Sequence, residues 1–324
     1  MNKLNTILIA SFCLLFLNTS FPAYGDTPQY GIATQSVINL RQHPSFAAEM
    51  GTQALMGTPV HILETEHGWS RVMTPDGYVA WTTSESVQSM TFDQYKSWNG
   101  ASKTIATVYF TVLRAQPSQH ASVVSDVVWG DVMRTIGENG YYVHVLLPDG
   151  RTGFLQKSET MSFDKWMASR HPTADHIIAT ARCFIGFPYL WGGTSVKGMD
   201  CSGFTKTCFF LNGVILRRDA SQQAQTGDSV AISNGFGNLK PGDLLFFGSK
   251  KGGKNHVSHV GLYIGNGEFI HSSGVVHISS LLPTDNDYDA YNTKRLLCAR
   301  RMLTRINRDS GIVSIGKHPF YQKQ

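Results

Sequence analysis

Three side chains in this sequence could together break an amide bond: the thiol of Cys201 and the imidazoles of His259 and His271. Cys201 lies in Met199-Asp200-Cys201-Ser202-Gly203-Phe204-Thr205, after the glycine-rich approach Tyr189-Leu190-Trp191-Gly192-Gly193. From Phe204 apolar residues recur at Cys208 and Leu211, and Asn212-Gly213 ends the pattern, so the spacing predicts a helix opening near Cys201. A thiol in a first helical turn meets unpaired N–H groups and the positive end of the helix dipole. Both favour the thiolate, the reactive form of a group whose free pKa is about 8.5. Position alone leaves Cys201 equally readable as a small core residue.

A partner base changes the weighing. Residues 256–272 contain two β-rich runs around Gly265-Asn266-Gly267, the pattern of a hairpin. Opposed residues of an antiparallel pair share a face, so His259 and His271 can meet only if the loop has an odd number of residues. A three-residue loop with Gly267 left-handed in a bulge pairs Gly261 with His271 and sets His259 beside them, and that loop is expected here. Gly261 then leaves room for the His271 ring. Cys201 would be the nucleophile, His259 the general base and later acid, and His271 the orienter of His259. Core packing explains either ring singly, and explains two on one face less well.

In order, Asp200-Cys201-Ser202-Gly203-Phe204, Arg218-Asp219-Ala220-Ser221-Gln222-Gln223, Pro241-Gly242-Asp243-Leu244-Leu245-Phe246-Phe247, His259-Val260-Gly261-Leu262-Tyr263-Ile264-Gly265 and Phe269-Ile270-His271 resemble the sequence blocks of the NlpC/p60 cysteine peptidases. The resemblance covers roughly 173 to 303. It implies a papain-like α+β fold, cleavage of bacterial cell-wall stem peptides, no cofactor, and Cys201, His259 and His271 as the triad positions, with His256 outside it.

Upstream, the chain repeats itself. A shift of 73 positions carries Leu40-Arg41 to Leu113-Arg114, Pro44-Ser45 to Pro117-Ser118, Gly57 to Gly130, Trp69 to Tyr142, and Pro75-Asp76-Gly77 to Pro148-Asp149-Gly150 without a gap. Short alternating runs separated by Pro, Gly and Asp turns predict two small β-barrels, which resemble bacterial SH3-like domains. Each is followed by a similar segment, Met90-Thr91-Phe92-Asp93 with Trp98 and Met161-Ser162-Phe163-Asp164 with Trp166, read as connectors packed by their aromatics. The expected division is a signal peptide at 1–25, barrels with connectors at 26–98 and 99–170, a peptidase domain at 171–304, and a basic tail at 305–324.

The signal peptide rests on Lys3, the apolar run from Ile7 to Leu17, and Ala23-Tyr24-Gly25, with cleavage expected after Gly25. That run is too short and wrongly flanked for a membrane span, so export to the periplasm or medium is expected, with no span in the mature chain. Four cysteines then remain, Cys183, Cys201, Cys208 and Cys298, all in the peptidase region without loop-rich spacing; free buried thiols plus one active one are expected. No CxxC or dense histidine cluster suggests a structural metal. Zinc on the triad is chemically conceivable, but a helix-start thiol needs no metal to ionise. With 324 residues, 42% hydrophobic content and a net charge of +5, the chain can form two or three cored domains, and it lacks the basic runs with interleaved aromatics of nucleic-acid binders. A monomer is expected.

In multi-barrel members of the family that the chain resembles, the first barrel leans over the cleft. Glu49 and Tyr78 look like the residues that do so; the second barrel has Ser122 and Arg151 at the equivalent positions. The resemblance also makes Tyr189 and Trp191 walls of the channel and Ser221 a weaker contact, while Asp219 and Gln222 read as a capping-box pair that spends Asp219. Asp200 and Glu49 could bind a free ammonium, and Ser202 a glutamyl backbone. The expected activity is cleavage of the γ-D-glutamyl to L-diamino-acid bond in muropeptide fragments with free N-terminal L-Ala. The rivals are an endopeptidase acting on intact peptidoglycan and a non-catalytic wall-binding protein. A barrel closed over Cys201 would favour fragments.

Overall fold

The computed structural model describes residues 29–322; the expected signal peptide lies outside the described residues. Two barrels come first. The strands of the first are β1 (Gln29–Ala33), β2 (Val37–Arg41), β3 (Met50–Leu55), β4 (Pro59–Glu66), β5 (Trp69–Met73), β6 (Val79–Thr83) and β7 (Val87–Met90), arranged β3-β2-β6-β5-β4-β1-β7. The second has β8 (Lys103–Ala106), β9 (Phe110–Arg114), β10 (Val123–Val128), β11 (Val132–Asn139), β12 (Tyr142–Leu146), β13 (Thr152–Gln156) and β14 (Thr160–Ser162). Their order, β10-β9-β13-β12-β11-β8-β14, is the first order with seven added to each strand. Repetition extends to single bonds: Arg41 Nη1 donates to Ala48 O at 2.6 Å, and Arg114 Nη1 to Ala121 O at 2.7 Å.

Both connectors are helical. Thr91 and Gln94 form a capping box at the start of Phe92–Gly100, satisfying two orphan N–H groups reciprocally. This helix buries Tyr95 and Trp98 against Ile32, and Phe163–Ala168 buries Trp166 with Ile105, Val132 and Ile215.

The remaining domain is α+β. Its antiparallel sheet runs, edge to edge, through Asp228–Val230, Leu296–Arg301, Leu244–Lys251, Lys254–Gly265, Glu268–Ser273 and Val275–Ser280. The helix Cys201–Phe210 lies against it, and its stripe Phe204, Cys208 and Leu211 joins Leu244, Phe246, Val260, Leu262 and Ile270 in one core. Alternate residues Leu245, Phe247, Tyr263 and Phe269 fill a second core on the other face, so the central strands are apolar on both sides. The segment after Leu303 is not a loose tail: Ile312–Ser314 pairs with Val214–Leu216, and the Phe320 carbonyl accepts from Tyr95 Oη (2.7 Å) and Asn99 Nδ2 (3.1 Å). It straps the peptidase domain to the first connector. Among the described residues no helix is long and apolar enough to cross a membrane.

Candidate active site

The hairpin that carries the imidazoles differs from expectation in its turn and agrees in its outcome. Asn266 and Gly267, with φ of 53° and 84°, form a two-residue turn closing a Gly265 to Glu268 pair, not a three-residue loop. The odd residue sits instead in a bulge between Tyr263 and Gly265. That bulge restores the parity: Leu262 faces Ile270, and the same register carries Gly261 to His271. A Cβ at Gly261 would lie 2.7 Å from the Phe269 ring but 3.4 Å, an ordinary contact, from His271 Cβ, so the glycine makes room for Phe269 and not, as expected, for the His271 ring. His259 Nε2 and His271 Nδ1 are 2.7 Å apart, and His271 Nε2 is 3.1 Å from Ser279 Oγ.

Cys201 is the first residue of its helix, 8% exposed, and the helix packs against the strand that carries His259. The backbone N–H groups of Val260, the neighbour of His259, and of Ser202 act on its sulfur in the direction that favours the thiolate. With His259 Nε2 committed to His271, the nitrogen left for the thiol is Nδ1. The helix start is expected to favour thiolate; burial, reinforced by the Asp200 charge, instead pushes the thiol up to about 11 against the pull of those two N–H groups. Burial also lowers His259 to about 4 and His271 to about 2. Desolvation penalises each charge alone, whereas proton transfer from the thiol to the imidazole makes a thiolate and an imidazolium that offset each other's cost. Thiolate attack on a carbonyl, collapse to an acyl-enzyme and hydrolysis by water follow the ordinary course. The Cys201 N–H, at the first position of its helix, has no intrahelical acceptor and is the kind of donor that can meet an oxyanion.

Asp200 is the main correction. It caps the nucleophile helix and its two oxygens are fully engaged: Oδ1 accepts from Gly203 N (2.7 Å), Arg218 Nη1 (3.2 Å) and Ser202 Oγ (3.3 Å), and Oδ2 from Arg218 Nη2 (2.5 Å) and Gly192 N (2.9 Å). Ser202 Oγ also takes Arg218 Nη1 at 2.9 Å. Asp200, Ser202 and Arg218 are 6%, 5% and 1% exposed, so neither of the first two offers a free group to a ligand. They build the turn that aims Cys201. Nothing local signals this, because Arg218 arrives from 17 positions beyond the nucleophile.

Asp219 does more than cap a helix. It forms the capping box with Gln222, whose Oε1 takes the Asp219 N–H at 3.1 Å. A carboxylate has about four acceptor sites, and a cap uses one, so Asp219 is not spent there. Burial raises its pKa, with Arg218 opposing and the Asp200 and Asp76 charges adding, and its own charge in turn acts on Tyr78. Tyr78 Oη accepts from Gln42 Nε2 at 2.9 Å. Glu49 Oε1 accepts from Trp191 Nε1 at 2.7 Å across the interface between barrel and peptidase domain. Half-buried Tyr189, near enough to feel the Cys201 and Asp200 charges, is pushed up to about 12, chiefly by burial, and stays a donor. Ser221 is exposed on the short helix Ala220–Gln223. All four downstream cysteines are free, but Cys183 is exposed and Cys298 only partly covered, so the expectation of buried thiols holds for Cys201 and Cys208 alone.

A buried thiol at a helix start, set against a strand that pairs two imidazoles, defines a cysteine peptidase site. The sequence matches the NlpC/P60 family model over residues 186–301 and the bacterial dipeptidyl-peptidase SH3 domain over 40–87. A γ-D-glutamyl-L-lysine dipeptidyl-peptidase of Bacillus cereus is 32% identical over 247 residues, 73% of this chain and 71% of the relative. Dipeptidyl-peptidase 6 of Lysinibacillus sphaericus is 28% identical over 77% of this chain and 91% of its own. A crystal structure of an NlpC/P60 family protein from Bacillus cereus superposes with a TM-score of 0.71 at 25% identity, covering 85% of this chain and 99% of that one. The chain belongs to the NlpC/P60 family and is a cysteine peptidase.

Proposed function

We propose that this peptidase acts on cell-wall stem peptides, cutting the γ-D-glutamyl to L-diamino-acid bond of fragments whose N-terminal L-Ala is free. The observation that carries the reading is the seating of the first barrel against the segment that leads to the nucleophile. Glu49 reaches Trp191, the Met50 carbonyl stands 2.4 Å from where a Cβ on Gly192 would be, and Gln53 Oε1 accepts from Thr194 N at 3.0 Å. A glycan strand needs an open approach on that side; a short peptide ending in an ammonium does not. The groups facing that end are the carboxylates of Glu49 and Asp219 with the Tyr78 hydroxyl between barrel and domain. Asp219 is held in a setting where its own charge is disfavoured, so a cationic end would relieve it. Cys201 attacks the glutamyl carbonyl, and release of the diamino-acid amine leaves L-Ala-D-Glu on sulfur for hydrolysis.

The two close relatives named as dipeptidyl-peptidases support this reading, and the amino-terminal apolar run supports export to the compartment where such fragments occur. The test is to incubate the mature protein with the free tripeptide, the same peptide N-acetylated, and intact sacculi, and to identify products by mass. Release of L-Ala-D-Glu from the free peptide alone is expected; comparable cleavage of the acetylated peptide or the sacculi would overturn the reading.

A further inference from the structure

The triad does not end at His271. The strand Val275–Ser280 pairs with Glu268–Ser273, setting Phe269 opposite Ser279 and His271 opposite His277. Ser279 is 5% exposed and His271 1%, and the 3.1 Å contact from His271 Nε2 to Ser279 Oγ is the one hydrogen bond of that nitrogen among the described residues. His277 is the nearer ring by register, 4.3 Å between centroids, yet its Nδ1 is turned to the Val275 carbonyl at 2.9 Å.

Proton placement follows from chemistry. For His259 Nδ1 to take the thiol proton, Nδ1 must be bare and Nε2 must carry the hydrogen. Nε2–H then donates to His271 Nδ1, which must therefore be bare. His271 carries its own hydrogen on Nε2, and a buried N–H needs an acceptor. Ser279 Oγ is that acceptor. The opposite order, with Ser279 donating to His271 Nε2, puts a hydrogen on His271 Nδ1, makes His259 Nε2 accept, and leaves His259 Nδ1–H aimed at sulfur, where it cannot act as a base. We propose that Ser279 is a positioning residue for this peptidase: by accepting from His271 Nε2–H it fixes the tautomers of both imidazoles in the order that bares His259 Nδ1.

Ser279→Ala removes the acceptor and frees His271 to move its proton to Nδ1. The expected result is a loss in kcat of roughly ten- to a hundredfold with KM near the wild-type value, since a wrong tautomer costs turnover rather than binding. Ser279→Thr keeps a hydroxyl and should recover most of the activity. The ¹⁵N-histidine spectrum reads the tautomer directly, whatever the activity: His271 Nδ1 should be bare in the wild type and protonated in S279A. His271→Asn isolates the pathway, because an asparagine Oδ1 branches from Cγ as the histidine Nδ1 does and accepts without help from Ser279. In that background S279A should change the peptide-mapped alkylation rate of Cys201 by less than about twofold. The proposal is overturned if S279A keeps kcat within about twofold of wild type, if the His271 nitrogen signals do not exchange roles, or if S279A slows Cys201 alkylation as much in the H271N background as in the wild type. The other charged or titratable groups acting on the pair, His277, Arg295, Asp289 and Asp200, are unchanged in every variant.

Discussion

The two barrels share a strand order and a structural arginine, but they do different things to the peptidase domain. At 51 the first has Gly, where a Cβ would fall 2.5 Å from Tyr78 Oη and 2.8 Å from Gln42 Nε2. The second has Val124, Arg151 and Ala115 at the three equivalent places, and Arg151 folds back onto Asp149 and the Val124 carbonyl. Three co-ordinated differences convert a self-satisfied surface into one whose phenol lies within electrostatic range of Asp219 and Arg218 of the peptidase domain. Elsewhere the barrels act alike: Gln53 and Asp126, one repeat apart, grip neighbouring residues of one hairpin, Thr194 and Lys197. The second barrel buttresses the far side, with Trp129 against Phe184 and Tyr109 Oη donating to the Cys183 carbonyl at 2.8 Å. A duplicated fold thus keeps its common grip and spends its divergence on the side that meets Trp191 and Asp219.

The largest expected effect breaks the tie between the first barrel and the nucleophile turn. Arg218 Nε donates to Thr52 Oγ1 at 2.9 Å while its other nitrogens hold Asp200. Arg218→Leu would strand a buried carboxylate, at a cost of about 3–5 kcal/mol in stability, and turnover should fall by two orders of magnitude or more; chemical denaturation and kcat/KM measure both. Acid should separate the site from the barrels next. His259 has a folded pKa near 4 against an unfolded value of about 6.5, so the unfolded chain binds the extra proton first. Its contribution to stability is present above pH 6.5 and is lost as pH falls toward 4, about 3 kcal/mol at full extent, with His271 adding in the same direction. The acid limb of kcat/KM should likewise lie well below 6.5, because His259 stays a base until it is protonated. A limb at the ordinary imidazole value would show that ring to be solvated, and one above it would show the ring charged beside a thiolate.

Importing one residue of the second barrel into the first is a gentler break. Gly51→Val should displace Tyr78 and raise KM for the free tripeptide roughly tenfold with a smaller change in kcat, whereas Val124→Gly should leave both constants unaltered. Equal effects from the two would erase the functional distinction between the barrels.

How much of this is legible in the sequence depends on the range of the interaction. The helix at Cys201, the repeat and the parity needed between His259 and His271 follow from local periodicity, so they can be read directly. The route to that parity cannot: a two-residue turn with a bulge and a three-residue loop give the same register, and Gly265-Asn266-Gly267 suits either. Asp200 looks like a ligand-binding carboxylate because its role is set by the distant Arg218, and the Ser279 contact stays hidden because a serine on a third strand looks like any polar strand residue until the pairing is known. The helicity of the first connector is readable, since Thr91 with Gln94 is a capping-box signal. Tail residues 312–314 show no periodicity because they form a single edge pairing too short to have one.

The smallest expected effect tests the grip that the barrels share. Lys197 Nζ lies 2.6 Å from Asp126 Oδ2 and 2.9 Å from Ser36 Oγ, so one ammonium touches both barrels from the peptidase domain. Yet its side chain and that of Asp126 are 42% and 39% exposed. Water and salt screen such a pair, and holding a long side chain in place costs entropy, so Lys197→Met should lower stability by under about 1 kcal/mol and change kcat/KM less than twofold. Gln53→Ala, at the equivalent grip point, should cost more: Gln53 is 5% exposed and its loss leaves the Thr194 N–H and the Ser195 hydroxyl without their acceptor beside the nucleophile turn. Thermal unfolding of the two variants side by side decides it. A larger loss from the lysine would mean that the exposed ion pair, not the buried amide, holds the barrels in place.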